Sequence, residues 1–211
     1  VGSSSLSYKV FQVTKGCELV MLISGKAHRV GTASTELPFI EHTIYHSSTQ
    51  GEVTMEKSKE ERKELPSHAV AASAILEFVI KTVKIEMVGH RFVHGGEEFS
   101  HSVMINGSAI RNKLRECVPL APLHNPLTLS VIQVCDQVLG PSIPQYATFD
   151  TAFHSALPPQ CFTYALPHAL SVSSGVGGTA AGGYRKFGFH GLSYQFCIDT
   201  LNSFVCNSAQ R

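Results

Sequence analysis

The sequence predicts a mixed α/β fold, and three patterns carry that prediction. Tyr8 to Val13 alternates apolar and polar residues, as a half-buried strand does, and Glu18 to Ile23 follows closely enough to pair with it as a hairpin. In Ala69 to Val83, Val70, Ala74, Phe78 and Lys81 fall at helical spacing. Short β-branched or aromatic runs at Met87–Val93 and Tyr146–Phe149 are separated by two further helical stretches.

In chain order, the hairpin is followed by a polar, β-branched stretch from Gly25 to Thr54 whose structure the pattern leaves undetermined. Glu56 to Glu64 is a charge run that reads as a solvated face or loop. Ser67 supplies an N-cap for the first helix. The Met87 strand stops at Gly95-Gly96. Ser108–Cys117 and Pro126–Leu139 are predicted helices, with Pro126 suited to a first turn. Tyr146–Phe149 is a short buried strand ending on Asp150. Ser171–Gly183 is Ser- and Gly-rich but lacks a leading strand and a following Lys-Ser/Thr, so a flexible loop is favoured over a phosphate loop.

Composition narrows the class. The 211 residues are 43% hydrophobic and 16% charged, with a formal net charge of +1, which suits a globular chain and provides no basic field for nucleic acid or an anionic membrane. No apolar run approaches the roughly 20 residues that span a bilayer. Six scattered cysteines, none in a Cys-x-x-Cys pair, give no zinc knuckle and read as reduced thiols of a cytoplasmic protein. A start at Val1 without Met and a stop at Ser208-Ala209-Gln210-Arg211 read as the ends of a fragment or truncated gene model.

Four stretches interrupt buried-looking segments with charge and glycine. Gly89-His90-Arg91-Phe92-Val93-His94-Gly95-Gly96 sets an arginine fork at a strand end, suited to a carboxylate or phosphate, or equally to a structural ion pair. Zinc binding by His90 and His94 would need a helix to bring them to one face, and this context opposes one. Leu120-Ala121-Pro122-Leu123-His124-Asn125-Pro126 is either a rigid turn capped by Asn125 or a pocket wall built from Leu123 and His124. Asp150, just past a buried strand, is either an N-cap or a catalytic carboxylate that orients a nucleophile or stands near Mg²⁺. In Lys186-Phe187-Gly188-Phe189-His190-Gly191-Leu192-Ser193, His190 is either a loop histidine or a donor aimed at developing charge.

All four stretches in this order resemble the acetate kinase family, part of the acetate and sugar kinase/Hsp70/actin superfamily. Gly2-Ser3-Ser4-Ser5-Leu6 looks like that family's opening strand and phosphate-side turn, Leu65–His68 and Tyr164–Pro167 add support, and His190–Tyr194 is closer to the fungal branch. The resemblance covers Val1 to about Phe196, leaving 197–211 as a divergent or truncated tail. It implies the N-terminal lobe of an actin-like ATPase (ribonuclease-H-like) fold. It also implies transfer of the ATP γ-phosphoryl group to acetate, giving acetyl phosphate and ADP with Mg²⁺, and a homodimer at full length.

By motif match the resemblance makes Arg91 the ligand of the carboxylate and acyl phosphate, and Val93 and Leu123 the methyl pocket. Asp150 becomes the catalytic carboxylate and His190 the group that stabilises charge on the transferring phosphoryl; Ser3, Ser5 and Lys9 lie on the nucleotide side. The chain also departs from the family. The metal-binding Asn would precede Val1, a family Lys falls at Ser7, with Lys9 two residues along the same face as its substitute, and the second Arg, the metal-binding Glu and the adenosine loops would lie beyond Arg211. No metal ligand is therefore expected within this chain. Propionate or butyrate as acceptor, pyrophosphate as donor, and a non-catalytic remnant that binds a partner or a small carboxylate are the competing readings.

Overall fold

The computed structural model describes residues 2–47, 52–167 and 185–209. The Ser171–Gly183 loop lies outside them. The chain divides into two compact units, the first made of Val1–Ile85 with Ser130–Ser142 and the second of Glu86–Leu129 with Ile143–Arg211.

In the first unit, four antiparallel strands run in chain order: β1 (Ser5–Val13), β2 (Leu19–His28), β3 (Phe39–Ser47) and β4 (Val53–Glu61). The expected hairpin is present, with Val13 opposite Leu19 and Val10 opposite Ile23. The undetermined stretch from Gly25 contains the rest of β2 and all of β3. Its alternation is masked because His42 occupies an inward position between Ile40 and Ile44. His42 is buried, stacks on Phe78 with centroids 3.8 Å apart, and its Nδ1 is hydrogen-bonded to the Tyr8 hydroxyl at 2.6 Å.

The charge run is the edge strand β4, exposed at every residue, with Lys59 paired to Glu61 at 2.8 Å. Charged side chains on an edge discourage pairing with another chain. Solvated it is, but as a strand.

Helix α1 (His68–Thr82) is capped by Ser67, whose side chain accepts from the Val70 amide. Its buried face differs from the expected one. Of the expected residues Ala74 is buried and Phe78 packs on His42, but Val70 is 43% exposed, and Ala71, Ala72, Ile75, Leu76 and Val79 also turn inward. The tie at the helix start accounts for part of this: His68 is buried, and its Nε2 bonds the Gly2 carbonyl at 2.8 Å. The core of the unit is Leu6, Ile23, Ala27, Ile40 and this helix face, with Ile132 and Cys135 also buried.

The second unit centres on three strands, ordered β5 (Val88–Phe92), β7 (Gln145–Phe149), β6 (Val103–Met104). β5 and β7 are parallel and β6 is antiparallel to β7. Between them come α2 (Gly107–Glu116), a 3₁₀ turn at Val118–Leu120, and α3 (Asn125–Leu139), with Pro126 in its first turn. α3 starts in the second unit and its residues from Ser130 belong to the first. After β7 follow a 3₁₀ turn (Asp150–His154), the short α4 (Pro159–Phe162) and α5 (Gly191–Ala209). Phe149 sits in the middle of the core, edge-on to Phe92 at 5.5 Å and stacked on Phe99 at 4.6 Å.

Burial holds the His42 imidazole below its ordinary pKa of 6.5, so the fold favours the neutral ring. A base depressed in the fold takes up protons on unfolding, so its stabilising contribution is complete above the ordinary value and declines as pH falls through it. His94 is lowered by burial in the same direction. Urea midpoints should therefore drop between about pH 7 and about pH 5.5. His42→Gln should shrink that drop, leaving the His94 share.

Candidate functional site

Parallel pairing of β5 with β7 sets Arg91 opposite Thr148 and Phe92 opposite Phe149, so both strands end at the same edge. Alternation along β5 buries His90 and Phe92 and turns Arg91 to the other face. Asp150 is the first residue past β7 and only 1% exposed. The two side chains meet there. Arg91 Nε donates to Asp150 Oδ1 and Oδ2 at 3.2 and 3.1 Å, and Nη2 donates to Oδ2 at 2.5 Å. A buried carboxylate needs such a partner. Nη1 takes no part in these bonds, and the Arg91 side chain is 42% exposed, so one edge of the fork stays open to a ligand.

Of the two readings of Asp150, the helix cap is not what forms. Phe149 occupies the cap position of the 3₁₀ turn, Asp150 is its first residue, and both carboxylate oxygens are held by Arg91.

The loop after β5 is fastened at three points. The Gly95 amide donates to Thr151 Oγ1 at 3.0 Å, the Gly96 amide to His94 Nδ1 at 3.0 Å, and Thr128 Oγ1 to the Arg91 carbonyl at 3.3 Å. A side chain at Gly95 would meet the Phe149 ring at 2.7 Å, so only glycine lets the loop lie this close to the core. His94 accepts at Nδ1 and is held neutral by burial, so its proton sits on Nε2. His90 is bonded to Gln145 at 2.8 Å. Among the described residues no group of three His, Cys, Asp or Glu stands together as a metal site.

Asn125 does not cap α3 with its side chain. It is fully buried, and its Nδ2 donates to the carbonyls of His94, at 3.0 Å, and Cys117, at 2.7 Å. The proline-bracketed loop is thereby tied to the Arg91 loop. Within these loops Val93 is 7% exposed and Leu123 72% exposed.

The fourth stretch lies on the turn after Asp150. A Cβ on Gly191 would collide with the Asp150 carbonyl oxygen, Gly188 lies against the His154 ring, and His154 Nε2 bonds the Phe189 carbonyl at 3.2 Å. His190 is therefore carried to the Asp150 end of the strands. It is exposed, adopts a left-handed φ of 55°, and its carbonyl accepts from the Ser193 and Tyr194 amides at 3.0 and 3.1 Å as α5 begins. A non-glycine residue in that conformation costs energy that surrounding contacts must offset, and such residues gather at functional sites.

Ser3, Ser5 and Lys9 belong to the first unit. Ser5 and Lys9 share the outer face of its sheet with Ser7. Lys26 stands directly opposite Ser7 and lines the same depression as Lys9. Sequence spacing could not find Lys26, because only the strand register brings it there. Thr128 and Thr151 were equally hidden, because they act through bonds to residues 37 and 56 positions away; Asn125 was visible, but as a cap and not as the clamp it forms.

The acetokinase family profile matches residues 1–210. The chain belongs to the acetokinase family. This acetokinase-family chain is 37% identical over 201 residues to the acetate kinase of Methanosarcina mazei, covering 92% of this chain and 43% of that one. Its fold superposes on the acetate kinase of Entamoeba histolytica with a TM-score of 0.71 at 38% identity, covering 97% of this chain and 44% of the other. A propionate kinase from Francisella tularensis gives 0.75 at 29% identity, over 97% and 47%. The chain thus spans somewhat under half the length of the curated relatives it matches. Its architecture is that of the N-terminal part of acetate kinase structures, the actin-like ATPase fold.

Two substitutions probe the geometry. Arg91→Ala strands a buried carboxylate and should cost roughly 2 kcal/mol, below the 3–5 of a fully buried pair because the arginine is partly exposed. Adding Asp150→Asn should recover part of that loss in a double-mutant cycle read by urea unfolding. Gly191→Ala should cost about 1–3 kcal/mol by forcing α5 off the turn, seen as faster amide exchange over Phe187–Tyr194.

Proposed function

We propose that this chain is the acceptor-binding lobe of a carboxylate kinase that takes acetate and returns acetyl phosphate. The observation that carries this is the orientation of Arg91: Asp150 holds the Nε–Nη2 edge of the guanidinium and leaves Nη1 out of these bonds, on a side chain 42% exposed at the ends of two parallel strands. A small carboxylate would bind there by charge-assisted hydrogen bonds.

In the reaction, a carboxylate oxygen of acetate attacks the γ-phosphorus of ATP as the bond to the bridging oxygen breaks, giving acetyl phosphate and ADP. Phosphoryl transfer of this kind asks the protein mainly for positioning and for stabilisation of charge on the equatorial oxygens. Arg91 would hold the acceptor in line and then bind the acyl phosphate. His190, carried to the same end, would donate to a phosphoryl oxygen. Asp150 would serve by keeping the Arg91 fork in one orientation. Val93 and Leu123 are the proposed contacts for the methyl group, and Ser3, Ser5 and Lys9 the proposed phosphate-side contacts for the nucleotide.

Mg²⁺, which the family resemblance implies, does not fit the described residues: both oxygens of Asp150 are committed to Arg91 and no ligand cluster accompanies them. No step here is routed through it. No helix among the described residues is long and apolar enough to cross a membrane.

A second reading rests on the same arginine. A lobe that binds a carboxylate without transferring phosphate would need nothing more than the Arg91 site. Isothermal titration separates the two. Acetate should bind with affinity that falls about tenfold in Arg91→Ala, the scale of one lost charge-assisted hydrogen bond, and less in Asp150→Asn. Unchanged acetate affinity in Arg91→Ala would sink the site assignment. Acetate binding without Mg·ATP binding, and no acetyl phosphate formed, is the binding-only outcome. Propionate and butyrate in the same titration test the acceptor, where each methylene is worth only a modest factor.

A further inference from the structure

The outer face of the four-stranded sheet carries two neighbouring depressions, of about 460 and 310 Å³, and Lys26 lines both. Strand register makes it central. Lys26 stands opposite Ser7 on β1 and Glu41 on β3, while Ser24 stands opposite Lys9 and Thr43. Lys9 and Lys26 are thus diagonal neighbours on one face of an antiparallel pair, a placement that sets side chains about 7–8 Å apart. Among the described residues neither ammonium has a carboxylate partner. Glu41, the acid opposite Lys26, is bonded instead to His28 at 2.8 Å. Arg29, which lines the second depression, is tied to Glu36 and to the Leu37 carbonyl. Lys26 is also half-buried.

Two like charges held side by side, one of them half-buried, repel until an anion stands between them. Around them lie hydroxyls: Ser7, Ser24 and Thr43 line the first depression, and Ser5 the second. Lysines are compact charges with rotatable donors and no planar fork, so they suit phosphate oxygens better than bidentate pairing with a carboxylate. Two ammoniums at diagonal positions bracket an anion whose charge is spread over two linked centres, as in a condensed phosphate. We propose that Lys26 and Lys9 together form a condensed-phosphate site on this face, taking free pyrophosphate or the phosphate tail of a nucleotide. This rests on the phosphate-side reading of Ser5 and Lys9, to which it adds Lys26 as the second cation. It does not depend on the acceptor role of Arg91.

Isothermal titration of the 211-residue chain with pyrophosphate, at low ionic strength and without metal, tests it. Lys26→Ala should weaken pyrophosphate about fivefold or more, Lys9→Ala comparably, and Lys26→Arg by less than about twofold. Lys57 stands opposite Thr43 on β4 and lines neither depression, so it controls for general charge. Lys57→Ala should change the affinity by less than about twofold. ATP and adenosine identify the source of the phosphate. ATP binding with the same dependence on Lys26 points to a nucleotide tail, and pyrophosphate binding without ATP binding points to the free anion; both support the site. Adenosine binding with that dependence overturns it. A loss in Lys9→Ala with none in Lys26→Ala also overturns it, while leaving the phosphate-side reading intact. No loss in either variant, or no binding of pyrophosphate or ATP, ends both. Equal losses in Lys26→Ala and Lys57→Ala show a general charge effect, and the proposal fails.

Discussion

The guanidinium of Arg91 meets the carboxylate of Asp150 where β5 and β7 end side by side, and most of what surrounds the pair serves to keep it there. Asp150 is almost wholly buried, and a carboxylate so placed is tolerable only with a cation and hydrogen bonds on its oxygens. Arg91 supplies both. The arginine is in turn immobilised on one edge and open on the other. This division makes Arg91 a structural partner and leaves its other edge for the ligand role proposed above, two readings that look like rivals in the sequence.

The pair depends on the loops that frame it. Thr128 holds the Arg91 carbonyl, Thr151 holds the Gly95 amide, and Asn125 bridges the carbonyls of His94 and Cys117. Each is a polar side chain spent on main-chain groups that the loops would otherwise bury without partners. Phe149, stacked on Phe99 and edge-on to Phe92, backs the strand ends with a rigid aromatic core. The turn from Asp150 to His154 then serves as a platform for Gly188 to Gly191. The His190 backbone comes close to the Asp150 turn because glycine on its C-terminal side has no Cβ to collide with the Asp150 carbonyl.

Legibility differed by element for physical reasons. The first hairpin, the Ser67 cap, α2, α3 and both strands of the parallel pair were visible because their apolar periods are local. β3 was not, since a buried histidine took an apolar position and was satisfied by Tyr8 and Phe78, which lie 34 residues upstream and 36 downstream. The inward face of α1 was displaced for a similar reason: a bond from His68 to the Gly2 carbonyl fixes the rotation, and no periodicity encodes it. Lys26 came to stand beside Ser7 and Lys9 only through strand register.

The sequence by itself determined the α/β character and the family, and singled out Arg91, Asp150 and His190 as candidates. All of these follow from residue types at short spacing or from motifs in a fixed order. Only the tertiary structure decided that Arg91 and Asp150, 59 residues apart, hold each other, that Asn125 is a clamp and not a cap, and that most of α5 lies exposed beyond its first turn. A salt bridge or a clamp is a statement about distance, and the chain carries distance information only once strands have paired and glycines have let their neighbours approach.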